Sequence, residues 1–524
     1  MKKKVVIVGG GNAGWMTATQ LSKDLGHLVD IQLIESDKVP AVGVGESGPP
    51  HLTDWLIDMG FDIYEFMQKT GSIQKLGNRF VDWAGKGSYE NFAFSWAMPA
   101  EILYKTPDMF TSDKDIEMWK VSNTKTTDYF AQMYADGTVN RWDQFHQMQH
   151  HYMNKVKSPM IGRDPIFTLP GAYAHHADAA LVAEYLKEKI IDLIDYTVGT
   201  VDKVNVQNAT IKNIVLESGE IIEGDLFVDC TGFRRLILKE LHPRVKYYED
   251  NFVDRAWVCQ YKYNDKKNEM VNYTQSIARP NGWQFIITLW ERFGTGYCFS
   301  SSHISDEDAL QEFKSMTNHE QLFEPRLLKW QPSRLEDFGV NNCCAIGLSQ
   351  GFVEPMEANA FAIIVNGIKL LQEAIDDAYH YSPKDVPDWN TMNYKMSKFI
   401  DQIAEFVLLH YTLGDKLYED NKFWNDMKKL GQARDHESAC LAQYRDPEST
   451  FYGNLKQTSM YPDSMWVEMA AAWGCNIDAY TDKDELFYNL AKDVFKHREY
   501  RHDLISEKML DYIEWHKQFV LKNG

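Results

Sequence analysis

Three observations predict an α/β fold with a parallel sheet at its start, a second mixed or antiparallel sheet, and a mostly helical C-terminal layer. A β-branched run, Lys4 to Val8, meets three consecutive glycines and then a helical pattern (Trp15, Met16, Ala18, Leu21), and a second strand follows at Ile31 to Ile34. Short apolar stretches bounded by turn residues recur over 196–228 and 252–300, as strands do. From Phe361 onward the apolar residues return every three or four positions (Phe361, Ile364, Ile368, Leu371), as helices require.

In chain order, the first element carries the strongest motif. Gly9-Gly10-Gly11-Asn12-Ala13-Gly14 matches GxGxxG at Gly9, Gly11 and Gly14, placed between strand and helix. Such a Rossmann-like unit holds a dinucleotide: the glycines let the backbone approach a pyrophosphate, and the helix N-terminus offers free N–H groups. Glu35 closes the second strand, 35 − 14 = 21 residues beyond Gly14, where an acid can accept from a ribose diol. An acid there favours FAD or NAD over a 2′-phosphorylated cofactor. After the loop Val42–Pro50, a helix is expected near 51–68. Residues 85–165, rich in aromatics, Met and His, read as an insertion of loops and short helices.

Ala174 to Lys187, with Leu181, Val182 and Tyr185, predicts an amphipathic helix. The strands of 196–228 end at Asp225–Asp229, and Cys230-Thr231-Gly232-Phe233 turns sharply. Trp257–Tyr261 and Trp283–Leu289 read as further strands, and Cys343–Ile346 as a short buried one before Gly347. Helices are expected at 361–378, 391–412, 418–430 and 464–473, with one or two beyond 483. Pro383-Lys384-Asp385-Val386-Pro387 divides a core, 1–380, from a helical subdomain, 381–524, packed on it.

Composition removes several function classes. Lys and Arg total 55 against 75 Asp and Glu, a formal net charge of −20, which disfavours nucleic acid and anionic membrane surfaces. No run of about 18 apolar residues occurs, so no membrane-spanning helix is expected. The seven cysteines are scattered without CxxC, which fits a reducing cytoplasm and argues against a disulfide scaffold or zinc site. His146 and His150 share a helix face with His151 beside them, but no third ligand with metal spacing accompanies them. They read as solvent-facing or packing residues, and no metal is expected.

With these residues in place, the chain resembles the flavin-dependent halogenases of the tryptophan-halogenase family. The motifs are GxGxxG-Trp at Gly9–Trp15, Gly45-Glu46-Ser47, Asp229-Cys230-Thr231-Gly232-Phe233, and Ile346-Gly347-Leu348 followed by Glu354-Pro355-Met356-Glu357. The resemblance covers roughly residues 1–410 and fades in the C-terminal helices. It implies FAD held by Gly9, Gly11, Asn12, Ala13, Gly14, Trp15, Glu35, Ser47, Val198, Gly232, Leu348 and Phe361. Trp15 either touches the cofactor or packs behind the loop. The family's catalytic lysine falls on Lys75 in Gln74-Lys75-Leu76-Gly77-Asn78-Arg79-Phe80-Val81-Asp82-Trp83, with Arg79 on a non-catalytic basic position. Its catalytic glutamate falls on Glu357, and its halide site on the backbone amides of Asn359 and Ala360.

The family usually has Ser-Thr-Gly where this chain has Ala358-Asn359-Ala360. The backbone donors survive that change, but the serine link does not, which leaves chloride, bromide and iodide open. The WxWxIP motif survives in part as Trp283-Gln284-Phe285-Ile286-Ile287-Thr288, a wall between flavin and substrate formed by Trp283 and Phe285.

The implied function is halogenation of an electron-rich aromatic, an indole or phenol, by hypohalous acid made from reduced FAD, O2 and a halide. A lysine suits the electrophile, since an ammonium donates hydrogen bonds and a desolvated amine can form a haloamine. A carboxylate can orient that electrophile and remove the ring proton. No NAD(P)H-binding domain is recognised, so a separate NAD(P)H-dependent flavin reductase is the expected partner; a homo-oligomer is compatible with the sequence. Two rivals remain at this point, an aromatic monooxygenase of the same fold and a non-catalytic FAD-binding protein. The C-terminal subdomain would lie on the substrate side; free tryptophan as substrate stays open, because a clamp around Tyr444, Glu448, Phe451, Tyr452 and Tyr461 does not align securely.

Overall fold

The structure is a computed structural model that describes residues 2–38, 45–93, 147–165, 173–381, 384–414, 421–436 and 506–521, with scattered positions between them. The aromatic-rich insertion falls largely outside the described residues, as do His146 and the stretch holding Tyr444 to Tyr461.

The N-terminal unit forms as its sequence predicts. Strand β1 (Lys3–Val8) leads through the glycine loop into helix α1 (Asn12–Leu25) and on to β2 (Val29–Glu35). Val5, Val6 and Ile7 are fully buried because this strand lies inside a parallel sheet with covered faces. Gly14 is needed for the turn: a Cβ there would stand 1.8 Å from the carbonyl oxygen of Gly9.

The helix expected over 51–68 is two helices. Strand β3 (Glu46–Ser47) precedes α2 (Pro50–Asp58) and α3 (Ile63–Thr70). Gly60, with φ 77°, breaks the run, and the Asp62 side chain caps α3 by accepting from the N–H groups of Tyr64 and Glu65. Strands β4 (Ile73–Lys75), β5 (Gly77–Val81) and β6 (Tyr89–Ala93) follow.

The amphipathic helix predicted from Ala174 starts later. Ala174–Ala177 is a buried strand, β7, and Asp178 caps helix α4 (Ala179–Ile190). A four-residue strand buried on both faces has no period that distinguishes it from a first helical turn. Strand β7 lies between β3 and β4, antiparallel to both, and this small sheet sets Ser47 opposite His176 and Lys75 opposite Ala174.

Further along come β8 (Asp195–Val198), β9 (Leu226–Asp229), β10 (Arg255–Lys262), β11 (Thr274–Arg279), β12 (Gly282–Thr288), β13 (Arg292–Phe299), β14 (Arg326–Lys329), β15 (Gly339–Val340) and β16 (Cys343–Ala345). The first sheet runs β8-β2-β1-β9-β16-β15, parallel except for the β15 edge. The second runs β14-β10-β13-β12-β11-β5-β6 and is antiparallel except where β11 pairs with β5. This is the predicted pair, one parallel and one mixed.

Three helices follow: α5 (Asn359–Asp376), α6 (Asn390–Thr412) and α7 (Lys422–Ala433). Their apolar faces join the core that begins at Val5, and Arg334 binds Asp401 of α6 through two hydrogen bonds of 2.8 and 2.9 Å. Near the C terminus, the Tyr512 hydroxyl accepts from the backbone N–H of Gln74, so the end of the chain braces the strand that carries Lys75.

Asp229, fully buried at the end of β9, fixes the turn that the sequence marks at Cys230–Phe233. Its carboxylate accepts from the backbone of Thr231 (2.9 Å), Ile237 (2.8 Å) and Leu238 (2.9 Å) and from the Thr231 hydroxyl (2.6 Å). Removing it strands several buried donors, each costing about 1–3 kcal/mol. Asp229→Ala is therefore expected to lower stability by about 3 kcal/mol or more in urea unfolding.

Candidate active site

The expected chemistry falls in two regions, the cradle at the start of α1 and the buried charges of Lys75 on β4 and Glu357 in the turn before α5. Helix α1 has no side-chain cap, so its first N–H groups stay available. Asn12 Oδ1 is buried there without a hydrogen-bond partner. The space beside Gly11 is open, with nothing within 4 Å of where a Cβ would stand. Glu35 lies beneath the loop, where a Cβ on Gly10 would come within 2.3 Å of its carboxyl carbon. Its Oε2 accepts from Lys187 Nζ (3.0 Å) and the Tyr196 hydroxyl (2.7 Å), leaving Oε1 for a ribose. An uncapped helix start, an orphaned amide oxygen and an acid two strands' depth into the fold fit a dinucleotide such as FAD.

The other residues expected at the cofactor distribute unevenly around this cradle. Val198 is register partner to Glu35 and more than half exposed. Gly232, with φ 70°, follows the β9 turn. Gly347 precedes Leu348 and sits so close to Ala13 that a Cβ would come within 3.0 Å of the alanine methyl. Trp15 is fully buried, its ring 5.7 Å from that of Tyr196, which places it behind the loop. Phe361 is buried in the first turn of α5. Ser47 turns its hydroxyl toward Lys75 and Thr274, so only its backbone is left to face a cofactor.

Lys75 is fully buried on β4, and its Nζ donates to Ser47 Oγ at 2.5 Å. Burial pushes its pKa down to about 7, while the charge of Glu357 opposes that fall. Glu357 reaches its position through a left-handed turn. It has φ 60° and ψ 14°, and Ala358 follows with φ 55° and ψ 34°. Two such non-glycine residues in a row cost roughly 1–2 kcal/mol each, held by the packing around them. The carboxylate accepts from Asn78 Nδ2 at 2.9 Å and lies 3.3 Å from His410 Nε2.

Helix α5 begins directly after that turn, and no side chain caps it. The amides of Asn359 and Ala360 stand at the N-terminus of an 18-residue helix, a place suited to an anion. The Asn359 side chain is not part of that donor set: its Nδ2 donates to the carbonyls of Glu354 (3.0 Å) and Met356 (2.8 Å). Trp283 and Phe285 lie buried on one face of β12, their ring centroids 6.1 Å apart.

Aromatic rings enclose the carboxylate side. His410 stacks on Phe80 at 5.0 Å, and Trp83 lies 5.9 Å from Trp473 in a stacked pair. Arg79 donates to Asn91 and to the Tyr273 hydroxyl, both at 2.7 Å. His150 and His151 are buried beside Asn154 and Asp503, and no cluster of three metal-ligating side chains occurs among the described residues.

Several residues at the site had no sequence signal of their own. Asn78 sits inside the lysine motif without a distinguishing pattern, and His410 occupies a helix face that reads as core. Thr274 and His176 lie on separate strands. Glu354 is a fully buried carboxyl whose Oε1 accepts from the Tyr411 hydroxyl at 2.7 Å, and burial pushes it up to about 8.

The raised Glu354 value has a defined consequence. Folding favours its protonated form, so its contribution to stability is complete below the ordinary value of 4.5 and is lost as pH rises toward 8. Glu354→Gln should accordingly gain on the wild type in melting temperature as pH rises from 4.5 to 8, with no further gain above.

A tryptophan halogenase family model matches residues 4–485. The 7-chloro-L-tryptophan 6-halogenase KtzR of Kutzneria sp. (strain 744) is 30% identical over 440 residues, covering 81% of each chain. The tryptophan 7-halogenase RebH of Lentzea aerocolonigenes is 27% identical over 479 residues, 87% of this chain and 86% of that one. In three dimensions, the tryptophan 6-halogenase SttH of Streptomyces toxytricini aligns with a TM-score of 0.82 at 26% identity, covering 98% of this chain and 99% of that one.

Proposed function

The chain belongs to the tryptophan halogenase family of flavin-dependent enzymes, and from that premise we propose that it halogenates an electron-rich aromatic ring of indole or phenol type, with Lys75 and Glu357 as the catalytic pair. One observation carries the assignment of roles: a fully buried lysine at a pKa of about 7 lies within the electrostatic reach of a buried glutamate at the start of an uncapped helix.

Bound reduced FAD, with O2, supplies the oxidising power that converts halide to hypohalous acid. The residues of the chain then do the rest. The amides of Asn359 and Ala360 hold the halide. Lys75 meets the hypohalous acid, by hydrogen bond as an ammonium or by haloamine formation as an amine. Glu357, oriented by Asn78, removes the ring proton as the carbon–halogen bond forms. Trp283 and Phe285 keep the substrate from the flavin, and the rings around Trp83 exclude water, which strengthens every charge interaction in the site. A separate NAD(P)H-dependent flavin reductase supplies the reduced cofactor, and the enzyme works in the cytoplasm.

The reading is tested with indole, bromide, FAD and a supplied NADH-driven flavin reductase. Lys75→Ala and Glu357→Gln should each lower bromoindole formation by about 10²–10⁴-fold while FAD binding, read by fluorescence quenching, stays within twofold. Product formed without halide, as hydroxylated indole, supports the monooxygenase instead. Wild-type rates in Lys75→Ala overturn the assignment.

A further inference from the structure

Lys75 donates into a hydrogen-bond chain that joins four strands, β4, β3, β11 and β7. Its Nζ donates to Ser47 Oγ at 2.5 Å, Ser47 Oγ lies 2.8 Å from Thr274 Oγ1, and Thr274 Oγ1 lies 2.8 Å from His176 Nε2. The other ring nitrogen, Nδ1, lies 2.9 Å from the backbone oxygen of Thr288. Lys75 and His176 are fully buried, Thr274 is 5% exposed and Ser47 is half-buried.

The far end sets the direction of the whole chain. A carbonyl oxygen only accepts, so His176 Nδ1 carries a proton in every state. Each hydroxyl has one proton to give. With Lys75 as an ammonium, Lys75 donates to Ser47, Ser47 to Thr274, and Thr274 to a bare Nε2. With His176 as an imidazolium, every bond reverses: Nε2 donates to Thr274, Thr274 to Ser47, and Ser47 to the lone pair of a neutral Lys75 amine. The two arrangements differ by one proton shifted along each of three bonds, with the same net charge.

We propose that His176 is a positioning residue that takes a proton from Lys75 through Ser47 and Thr274, presenting the lysine as a free amine without exchange with water. The proposal rests on the reading of Lys75 as the group that meets the hypohalous acid. The Lys75 ammonium gives one proton to Ser47, Ser47 gives its own to Thr274, and Thr274 gives its own to Nε2. The amine then turns its lone pair away from the Ser47 hydroxyl and attacks the halogen of HOX. An N–X bond forms, the O–X bond breaks, and the leaving hydroxide takes one amine proton, so that RNH2 and HOX become RNHX and H2O with the halogen still at +1.

The charged surroundings favour the resting state. Glu357 faces Lys75 and stabilises its ammonium, while burial, the Lys75 charge and neighbouring His175 hold the His176 ring well below the ordinary imidazole range. The proton therefore stays on Lys75 until the electrophile arrives and captures the amine.

Thr274→Val removes the middle hydroxyl at nearly constant volume and breaks the path from Lys75 to His176. In the indole and bromide assay, the ratio of wild-type to variant rate should be about tenfold or more at pH 6, and fall toward one as pH passes about 7, near the Lys75 value. Thr274→Ser, which keeps the hydroxyl, should stay within twofold of wild type throughout. A ratio that does not change with pH overturns the relay. So does a histidine 15N NMR spectrum of the unaltered protein, without cofactor, that shows His176 protonated on Nε2 and bare on Nδ1; the expected signature is the reverse. Lys75→Ala in the same assay separates the two levels. If it abolishes product while the Thr274→Val ratio is flat, the relay alone fails; if it retains product, the role given to Lys75 fails.

Discussion

An ammonium group taken wholly out of water has to be held by hydrogen bonds and an opposite charge, or else lose its proton, and Lys75 sits near that balance. Burial alone disfavours its charge by several kcal/mol. The charge of Glu357 offsets part of this, leaving the group at about 7 instead of 10.5, and Ser47 accepts from its Nζ. Much of the architecture follows from keeping that balance. The three-stranded sheet places Ser47 and His176 beside the lysine strand, the second sheet brings Asn78 and Thr274 into register, and the left-handed turn at Glu357 and Ala358 aims the carboxylate inward.

Where the resemblance implies a serine, this chain has Ala358, whose side chain offers no hydroxyl. The hydroxyl that meets Lys75 is that of Ser47, in the Gly45-Glu46-Ser47 motif, and it is tied onward to Thr274. A buried ammonium needs an acceptor at a point in space, and a strand that passes that point supplies it.

Local chemistry was legible in the sequence, and contacts between distant strands were not. The glycine loop and Glu35 at its strand end sit in a motif whose spacing has a physical reason, whereas Lys75 and Glu357 were picked out by the family resemblance. The helix α5 was readable from the apolar period around Phe361, while the left-handed turn before it was not. His176 was hidden inside a stretch whose pattern suits a helix turn, and only pairing with β3 and β4 shows it to be a strand residue facing the site. Asn78, Thr274 and His410 come together from β5, β11 and α6. Their roles depend on register and packing angle, which leave no trace in composition or spacing. Trp15 shows the opposite limit, since its motif position said it was near the cofactor loop but not on which side.

The central claim is that this fold holds one lysine near the midpoint of its own ionisation. Selective 13Cε labelling of lysine, with the Lys75 signal assigned by its loss in Lys75→Arg, measures this without turnover or cofactor. A titration midpoint near 7, well separated from the remaining lysines, is the result the structure requires. A midpoint near 10.5 would mean that Lys75 is solvated and carries an ordinary permanent charge, and would contradict it.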